Sequence, residues 1–460
     1  MSPGAVPRTR SAVRQRIGLI GDSWRTQLWP VPLLGVLTAV ALGIGLPRLD
    51  GAMTSGVQDA LTAYLFSGGP EAARTVLSTI AGSLITVTSL TFSLTVVTLQ
   101  LASSQFSPRL LRTFTRDRLV HWTLALLLGT FVYALTVLRT VRASLDERSA
   151  FVPHLSVTVA YLLGVASVIM LVVFLAHLAR QIRVESMLRE VHGETTDTMR
   201  RLLPDATTAE VVAVTPAPPG TATAVCATSS GFITFVDDDE LVRATVAADA
   251  VVLVDRAPGD SVVAGTPLGF TWQLASDARL PDPALEQLTG RVTAAVHTGY
   301  ERTAVQDIGF GLRQLVDVAV KALSPGVNDP TTAIHTLGHV SALLCDIARH
   351  RVGSEVRRDD DGNVRVVLRR PGFEAMLDAT IAPLARYGSA DPDVLARLFM
   401  LLREVAWCTT TGDQRGSIAV WLRRLRQTVE REGFDDVERA RLEKAEHDVE
   451  EAIAGRWAPA

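Results

Sequence analysis

Four apolar runs stand out in the first 180 residues, at about 29–46, 76–102, 120–141 and 155–178. Each matches the length of a helix that crosses a hydrocarbon core, about 20 residues. The first is entered through Pro30 and Pro32, and the fourth, SVTVAYLLGVASVIMLVVFLAHL, is the purest. The second, VLSTIAGSLITVTSLTFSLTVVTLQLA, is uncharged but crowded with Ser and Thr. At about 100° per residue, Ser78, Thr79, Gly82, Ser83, Thr86, Ser89, Ser93, Gln100 and Ser104 share one face. Thr88, Thr91, Thr95 and Thr98 fall on the other. Two readings stay open. Small and hydroxyl side chains let membrane helices pack closely, or they line something wet. The candidate pore-lining residues are Ser83, Thr86, Ser89, Ser93 and Gln100. The span holds no Asp, Glu, Lys or Arg, which sets passive conduction ahead of ion pumping.

Beyond the fourth run the pattern changes. Val184, Met187, Leu188 and Val191 give a helical stripe that continues from the span and ends at Pro204. The stretch TPAPPGTAT, 215–223, reads as a linker. Residues 224–272 are short Val-rich runs broken by Gly, Asp and Pro, the pattern of strands. Helical periodicity returns from 283. It includes a helix over 301–323, the turn SPGVNDP, a second helix and a hairpin near 356–370 that turns at Asp361-Gly362-Asn363. Three or four helices finish the chain, the last over 435–454 with charged outer faces.

The expected fold is mainly α. A four-helix transmembrane region, 28–180, follows an N-terminal segment, 1–27. A connecting helix and linker (181–215), a small β module (216–275) and a C-terminal helical domain (283–460) make a cytoplasmic α+β region.

Basic residues set the expected orientation. Arg8, Arg10, Arg14, Arg16 and Arg25 precede the first span, Arg109, Arg112, Arg116 and Arg118 follow the second, and Arg180, Arg183 and Arg189 follow the fourth. The positive-inside bias puts all three groups, and both termini, in the cytoplasm of a bacterium's inner membrane. The loop 47–75 is basic-poor, with Asp50, Asp59 and Glu71. The first apolar run starts late and is too long for a cleavable signal. A net charge of −3 points to no nucleic-acid partner. All but Lys321 and Lys444 of the 45 basic residues are Arg, which base composition explains. Cys226, Cys345 and Cys408 show no metal-ligand spacing.

Four motifs carry candidate chemistry. Ser107-Pro108-Arg109 ends the second span, where Arg109 is an anchor for anionic lipid or a coupling elbow. On the expected helix 301–323, Arg302, Gln306, Arg313, Asp317 and Lys321 share a face. Asn328 and Asp329 follow, with Asp329 as N-cap and Pro330 in the first helical position. Arg302, Gln306, Arg313, Asp317, Asn328 and Asp329 are therefore ligand or coupling candidates beside a helix N-terminus. His335 and His339 stand four apart, but the Glu of a zinc hydrolase is absent between them. No catalytic residue, metal site or cofactor is expected.

The run 258–268, PGDSVVAGTPL, resembles the turn-rich hairpin of lipoyl-like barrel-sandwich domains, which implies a small β module. The modified Lys of those carriers has no counterpart, since the region holds no Lys. The motifs SSQFSPRLL and RTAVQDIGFGLRQLVDVAVKALSPGVNDPTTA resemble a bacterial family of predicted membrane proteins of unknown function. That resemblance implies four spans, a cytoplasmic α+β region and no catalytic residues to transfer. Two function classes follow as expectations. One is a homo-oligomeric channel or channel-like transporter with a regulatory cytoplasmic part. The other is a membrane-anchored sensor or scaffold that binds a ligand or partner. The lipid bilayer and a second copy of the chain are the expected partners.

Overall fold

The computed structural model describes residues 29–53, 66–105, 117–142, 151–181, 183–203, 218–274 and 279–457. The expected N-terminal segment, Arg109 and the first three residues of the linker 215–223 lie outside them. The chain divides into two compact units, Met1–Arg183 and Val184–Ala460.

The first unit holds four helices long and apolar enough to cross a membrane. They are α1 (Pro30–Met53), α2 (Pro70–Gln105), α3 (Arg118–Leu138) and α4 (His154–Gln181). The most enclosed is α3, which packs against the other three. The seam between α1 and α3 is made of small residues. A Cβ on Gly35 would lie 2.8 Å from the Ala125 carbonyl oxygen, and one on Gly43 would lie 2.8 Å from the Thr136 side chain. Gly35, Ala39 and Gly43 recur every four residues, so they line one side of α1 and let the two backbones touch.

Polar bonds fix the bundle where apolar packing alone would let helices slide. Ser167 donates to the Thr130 hydroxyl at 3.1 Å, and the Tyr133 hydroxyl to the Ser156 carbonyl at 3.1 Å. The α1 helix runs through Pro47 rather than stopping there, and this carries Asp50 to the start of α4. Its carboxylate accepts from Leu155 N at 3.1 Å, Ser156 N at 3.0 Å and Ser156 Oγ at 2.8 Å. A carboxylate on the orphan amides of a helix start is favourable for both charge and hydrogen bonding. At the opposite end of α3, Asp117 accepts from Leu119 N at 2.9 Å and pairs with His177 Nε2 at 2.5 Å.

The second unit begins with α5 (Val184–Leu202), a separate helix rather than a continuation of α4. Two sheets follow. One joins β1 (Thr223–Cys226), β5 (Pro267–Gln273), β3 (Ala250–Val254), β8 (Val364–Leu368) and β7 (Glu355–Arg358), in that order. The other joins β4 (Ser261–Val262), β2 (Gly231–Val236) and β6 (Val296–Gly299). Helices α6 (Asp238–Ala247) and α7 (Asp282–Ala295) contribute Leu241, Ala244, Leu288 and Val292 to the same core as Val225, Ile233, Val252 and Val366. Gly259 and Gly265 take positive φ, as the turns of the 258–268 hairpin require.

The Val-rich strands do not close on themselves. Strand β3 pairs parallel with β8, matching Val252 to Val366 and Val254 to Leu368. The expected hairpin, found as β7 and β8, thus extends the sheet of the 216–275 segment instead of standing in a separate helical domain. Arg365 fastens this junction. Its side chain is buried and reaches Asp249 Oδ1 at 2.9 Å and Asp359 Oδ2 at 2.6 Å.

The helical remainder comprises α8 (Ile308–Ala322), α9 (Pro330–Arg349), α10 (Phe373–Tyr387), α11 (Pro392–Cys408), α12 (Gly412–Arg431) and α13 (Asp436–Ile453). Their apolar faces bury Leu315, Leu337, Leu344, Leu398, Phe399 and Leu425. The final helix is capped by Asp435, which accepts from Val437 N and Glu438 N.

Candidate functional site: the outward face of the second span and the 301–332 knot

The hydroxyls of α2 divide into two sets. Thr88, Thr91, Thr95 and Thr98 are buried inside the bundle. Each donates to the carbonyl four residues back, at 2.7–2.9 Å. They share their own helix's acceptors and pack as small, satisfied groups. Ser78, Thr79, Gly82, Ser83, Thr86, Ser89, Ser93 and Gln100 are exposed, facing away from the other three helices. Ser83 and Thr86 return bonds to Ile80 O at 3.1 Å and Gly82 O at 3.3 Å. The side chains of Ser89, Ser93 and Gln100 have no hydrogen-bond partner among the described residues.

The exposed face of α4 is the contrast. From residue 161 to 179 its outward positions are Tyr161, Leu162, Val165, Val168, Ile169, Val172, Val173, Leu175, Ala176 and Ala179. That is a surface suited to lipid. The outward face of α2 carries Ile85, Leu90, Phe92, Val96, Val97 and Leu101 as well, and Leu90, Val96 and Val97 interrupt the hydroxyl stripe. All five pore-lining candidates therefore point out of the protomer.

The most specific motif of the second unit folds into a knot of internal bonds. Helix α8 starts at Ile308, so Arg302 and Gln306 do not share a helical face with Arg313 and Asp317, contrary to the spacing argument. Both sit in the irregular segment before the helix, and each has a different task. Gln306 acts as a short strand neighbour: Val236 N donates to its Oε1 at 2.8 Å, and its Nε2 donates to Val236 O at 3.0 Å. Arg302 donates to Asp307 Oδ2 through Nη2 at 2.6 Å and Nε at 3.1 Å. Asp307 is the true N-cap, accepting from Phe310 N at 3.0 Å.

Asp307 is nearly enclosed. Burial outweighs the neighbouring guanidinium and pushes its carboxyl above the ordinary aspartate range. Gly259 approaches the same pair so closely that a Cβ there would strike Asp307 and Arg302. Gly311, one turn into α8, lets α5 come against it: a Cβ there would collide with the Thr195 side chain. The run RTAVQDIGFG thus encodes one junction among strand β2, the 258–268 hairpin, α5 and α8.

The other candidates lie along α8 and in the turn beyond it. Arg313 Nε meets Asp317 Oδ1 at 3.0 Å on a partly exposed face. A pair of this kind is worth a few tenths of a kcal/mol. Asn328 takes φ +52, a left-handed conformation that Asn tolerates better than most residues. Asp329 then caps α9, with its carboxylate accepting from Thr332 N at 3.0 Å and Thr332 Oγ1 at 2.5 Å. The adjacent Asn and Asp thus have a local cause: one turns the chain and the next starts the helix. On α9, His339 meets the His192 ring at 5.2 Å rather than pairing with His335. Burial, with His192, Arg189 and His335 nearby, pushes His339 below the usual histidine range.

The Thr332 contacts hold Asp329 below its ordinary carboxylate range. A lowered acid contributes stability above its unfolded pKa, about 3.9, and loses it as pH falls through the folded value. Asp329→Ala should therefore cost about 1 kcal/mol at pH 7, and the gap to wild type should shrink as the solution is acidified. Urea unfolding at a series of pH values measures it.

Four helices of spanning length in one bundle, joined in sequence to a large α+β unit, define a multi-pass membrane protein. The chain belongs to the family described as "Predicted membrane protein (DUF2254)", whose model matches residues 25–404. This is the family that the SSQFSPR and ALSPGVNDPTTA motifs pointed to. Among its relatives are the uncharacterized protein Rv1290c of Mycobacterium tuberculosis and the uncharacterized protein Mb1321c of Mycobacterium bovis. Each is 36% identical over 433 residues, covering 94% of this chain and 82% of the relative. No solved structure matches the chain.

Proposed function

We propose that this protein is a homo-oligomeric channel or channel-like transporter of the bacterial inner membrane, with the outward face of α2 lining the path. The carrying observation is the contrast between the two exposed helix faces. Where α4 offers lipid only alkyl groups and one tyrosine, α2 offers Ser89, Ser93 and Gln100 with unused hydrogen-bonding capacity. Such groups lose several kcal/mol when left against hydrocarbon without partners. Copies of the chain arranged about an axis would turn these faces toward one another and toward water. The absence of any charged side chain between Arg74 and Gln105 on α2 suits passive conduction better than a proton-coupled pump.

The arginine bias of the sequence supports cytoplasmic termini, with the Val184–Ala460 unit as the regulatory part. Arg302, Gln306 and Asp329 are occupied by internal bonds, which favours conduction over the ligand-sensor alternative.

Reconstitution into liposomes tests the proposal. Purified protein should carry ionic flux above that of empty vesicles. The double substitution Ser89→Leu and Ser93→Leu should lower the flux at least about tenfold, since it removes the wetted groups and narrows the path. Thr91→Val with Thr95→Val, on the bundle side, should leave it nearly unchanged. Flux equal to that of empty vesicles for common monovalent ions would remove the reading, as would a pattern in which only the inner pair matters.

A further inference from the structure

Two of the three cysteines meet in the helical part of the second unit. Cys345 lies near the end of α9, and Cys408 is the last residue of α11. These helices pack against each other, and the bonds Ser341–Glu404, one turn before both cysteines, and Arg349–Cys408, one turn after Cys345, set the two thiols on facing turns. Both are free and partly exposed, so a small oxidant has access to them. Cys226 sits apart, on β1.

The surroundings of the two sulfurs differ. Arg349, one turn beyond Cys345, places Nη2 3.3 Å from Cys408 Sγ, while its Nη1 is held by Asp346 at 3.1 Å. A guanidinium fixed against a sulfur steadies the negative charge with which that sulfur attacks. Cys345 has the opposite setting. Burial, Cys408 and the Glu404 carboxylate push its thiol up to about 12, so it keeps its proton. Nothing in the conduction reading uses either group.

We propose that Cys345 and Cys408 form a redox-modification site, a dithiol that closes to a disulfide on meeting a hydroperoxide. The Cys408 sulfur attacks one peroxide oxygen. An S–O bond forms, the O–O bond breaks, and the leaving hydroxide takes a proton to become water. The Cys345 sulfur then attacks the resulting sulfenic sulfur. An S–S bond forms, the S–O bond breaks, and the Cys345 proton leaves with the second water. The dithiol gives up two electrons and the peroxide is reduced to two waters. Closure joins the end of α9 to the end of α11 and removes the Arg349 contact with the Cys408 thiol. In a reducing compartment the pair rests as thiols, and the bond is transient.

Peptide mapping of the full-length protein in detergent provides the test. The protein is fully reduced, freed of reductant, exposed to a small molar excess of hydrogen peroxide, and alkylated. The expected product joins the Cys345 and Cys408 peptides, lighter than the pair of thiol peptides by two hydrogen atoms, while Cys226 is alkylated. Cys345→Ser should leave Cys408 as a sulfenic acid that dimedone captures. Cys408→Ser should give at least about tenfold less capture at Cys345, and Arg349→Ala should slow closure several-fold. The assignment is overturned if both thiols remain alkylatable in excess peroxide. Equal dimedone capture in the two serine variants would also overturn it.

Discussion

Arg302→Ala should destabilise the Val184–Ala460 unit by about 3 kcal/mol, the low end for stranding a buried charge, because Arg302 itself is 31% exposed. In a domain of this size that is a fall of roughly 6–12 °C in melting temperature. The loss has a pH signature. Burial raises the Asp307 carboxyl above its ordinary range even with Arg302 present. A raised acid favours the folded state below its pKa and penalises it as pH rises through that value. Removing the guanidinium raises the carboxyl further, so the variant should suffer more at pH 7 than at pH 4. Asp307→Asn keeps an oxygen for the Phe310 amide and no longer carries a charge that needs Arg302. Combined with Arg302→Ala, it should recover part of the loss. A double-mutant cycle from chemical denaturation reads the coupling, and an additive result would show that the pair is incidental.

The second large effect belongs to the membrane unit. Gly35→Leu puts a side chain where the Ala125 backbone already sits, at 2.8 Å from its carbonyl oxygen. Neither backbone can yield without parting α1 from α3, so the cost should be about 3 kcal/mol or more. Gly45 provides the control on the same helix, because a Cβ there meets nothing within 4 Å. Gly45→Leu should melt with the wild type in detergent, while Gly35→Leu melts early or fails to assemble. Equal behaviour of the two would refute the close-packed seam.

Much of the membrane unit was legible because the signal is crude. Length and apolarity alone mark a spanning helix, and all four were found. Their ends were less legible for specific reasons. Pro47 reads as a stop, yet α1 passes through it, since a membrane helix tolerates the lost bond. The polar first turn of α2, Glu71 to Arg74, hid a start at Pro70. The division of α2 hydroxyls into two faces was visible from the 3.6-residue period. Which face meets the bundle was not, because Thr and Ser suit either side.

The 301–332 region was legible in composition and misread in geometry. Spacings of four between Arg302 and Gln306, and between Arg313 and Asp317, imitate a single helix. Asp307 followed by an apolar periodic run carried the correct start signal. The tasks of Arg302 and Gln306 depend on Asp307 and on Val236, and the second of these lies 70 residues away. No local window contains that information. Asn328 and Asp329 were the opposite case, since turn and cap chemistry are local and the helix begins where the sequence places it.

The parallel match of Val252 to Val366 has a consequence for the order in which the protein is made. During synthesis the strand AVVLV leaves the ribosome well before its neighbour exists. At about 5–20 residues per second the delay is roughly 6–23 s. Through that interval a fully apolar strand, Ala250–Val254, has an open hydrogen-bonding edge. A nascent chain in that state is a ready template for a second one, so yield on overexpression should depend on how quickly ribosomes travel through the following hundred codons.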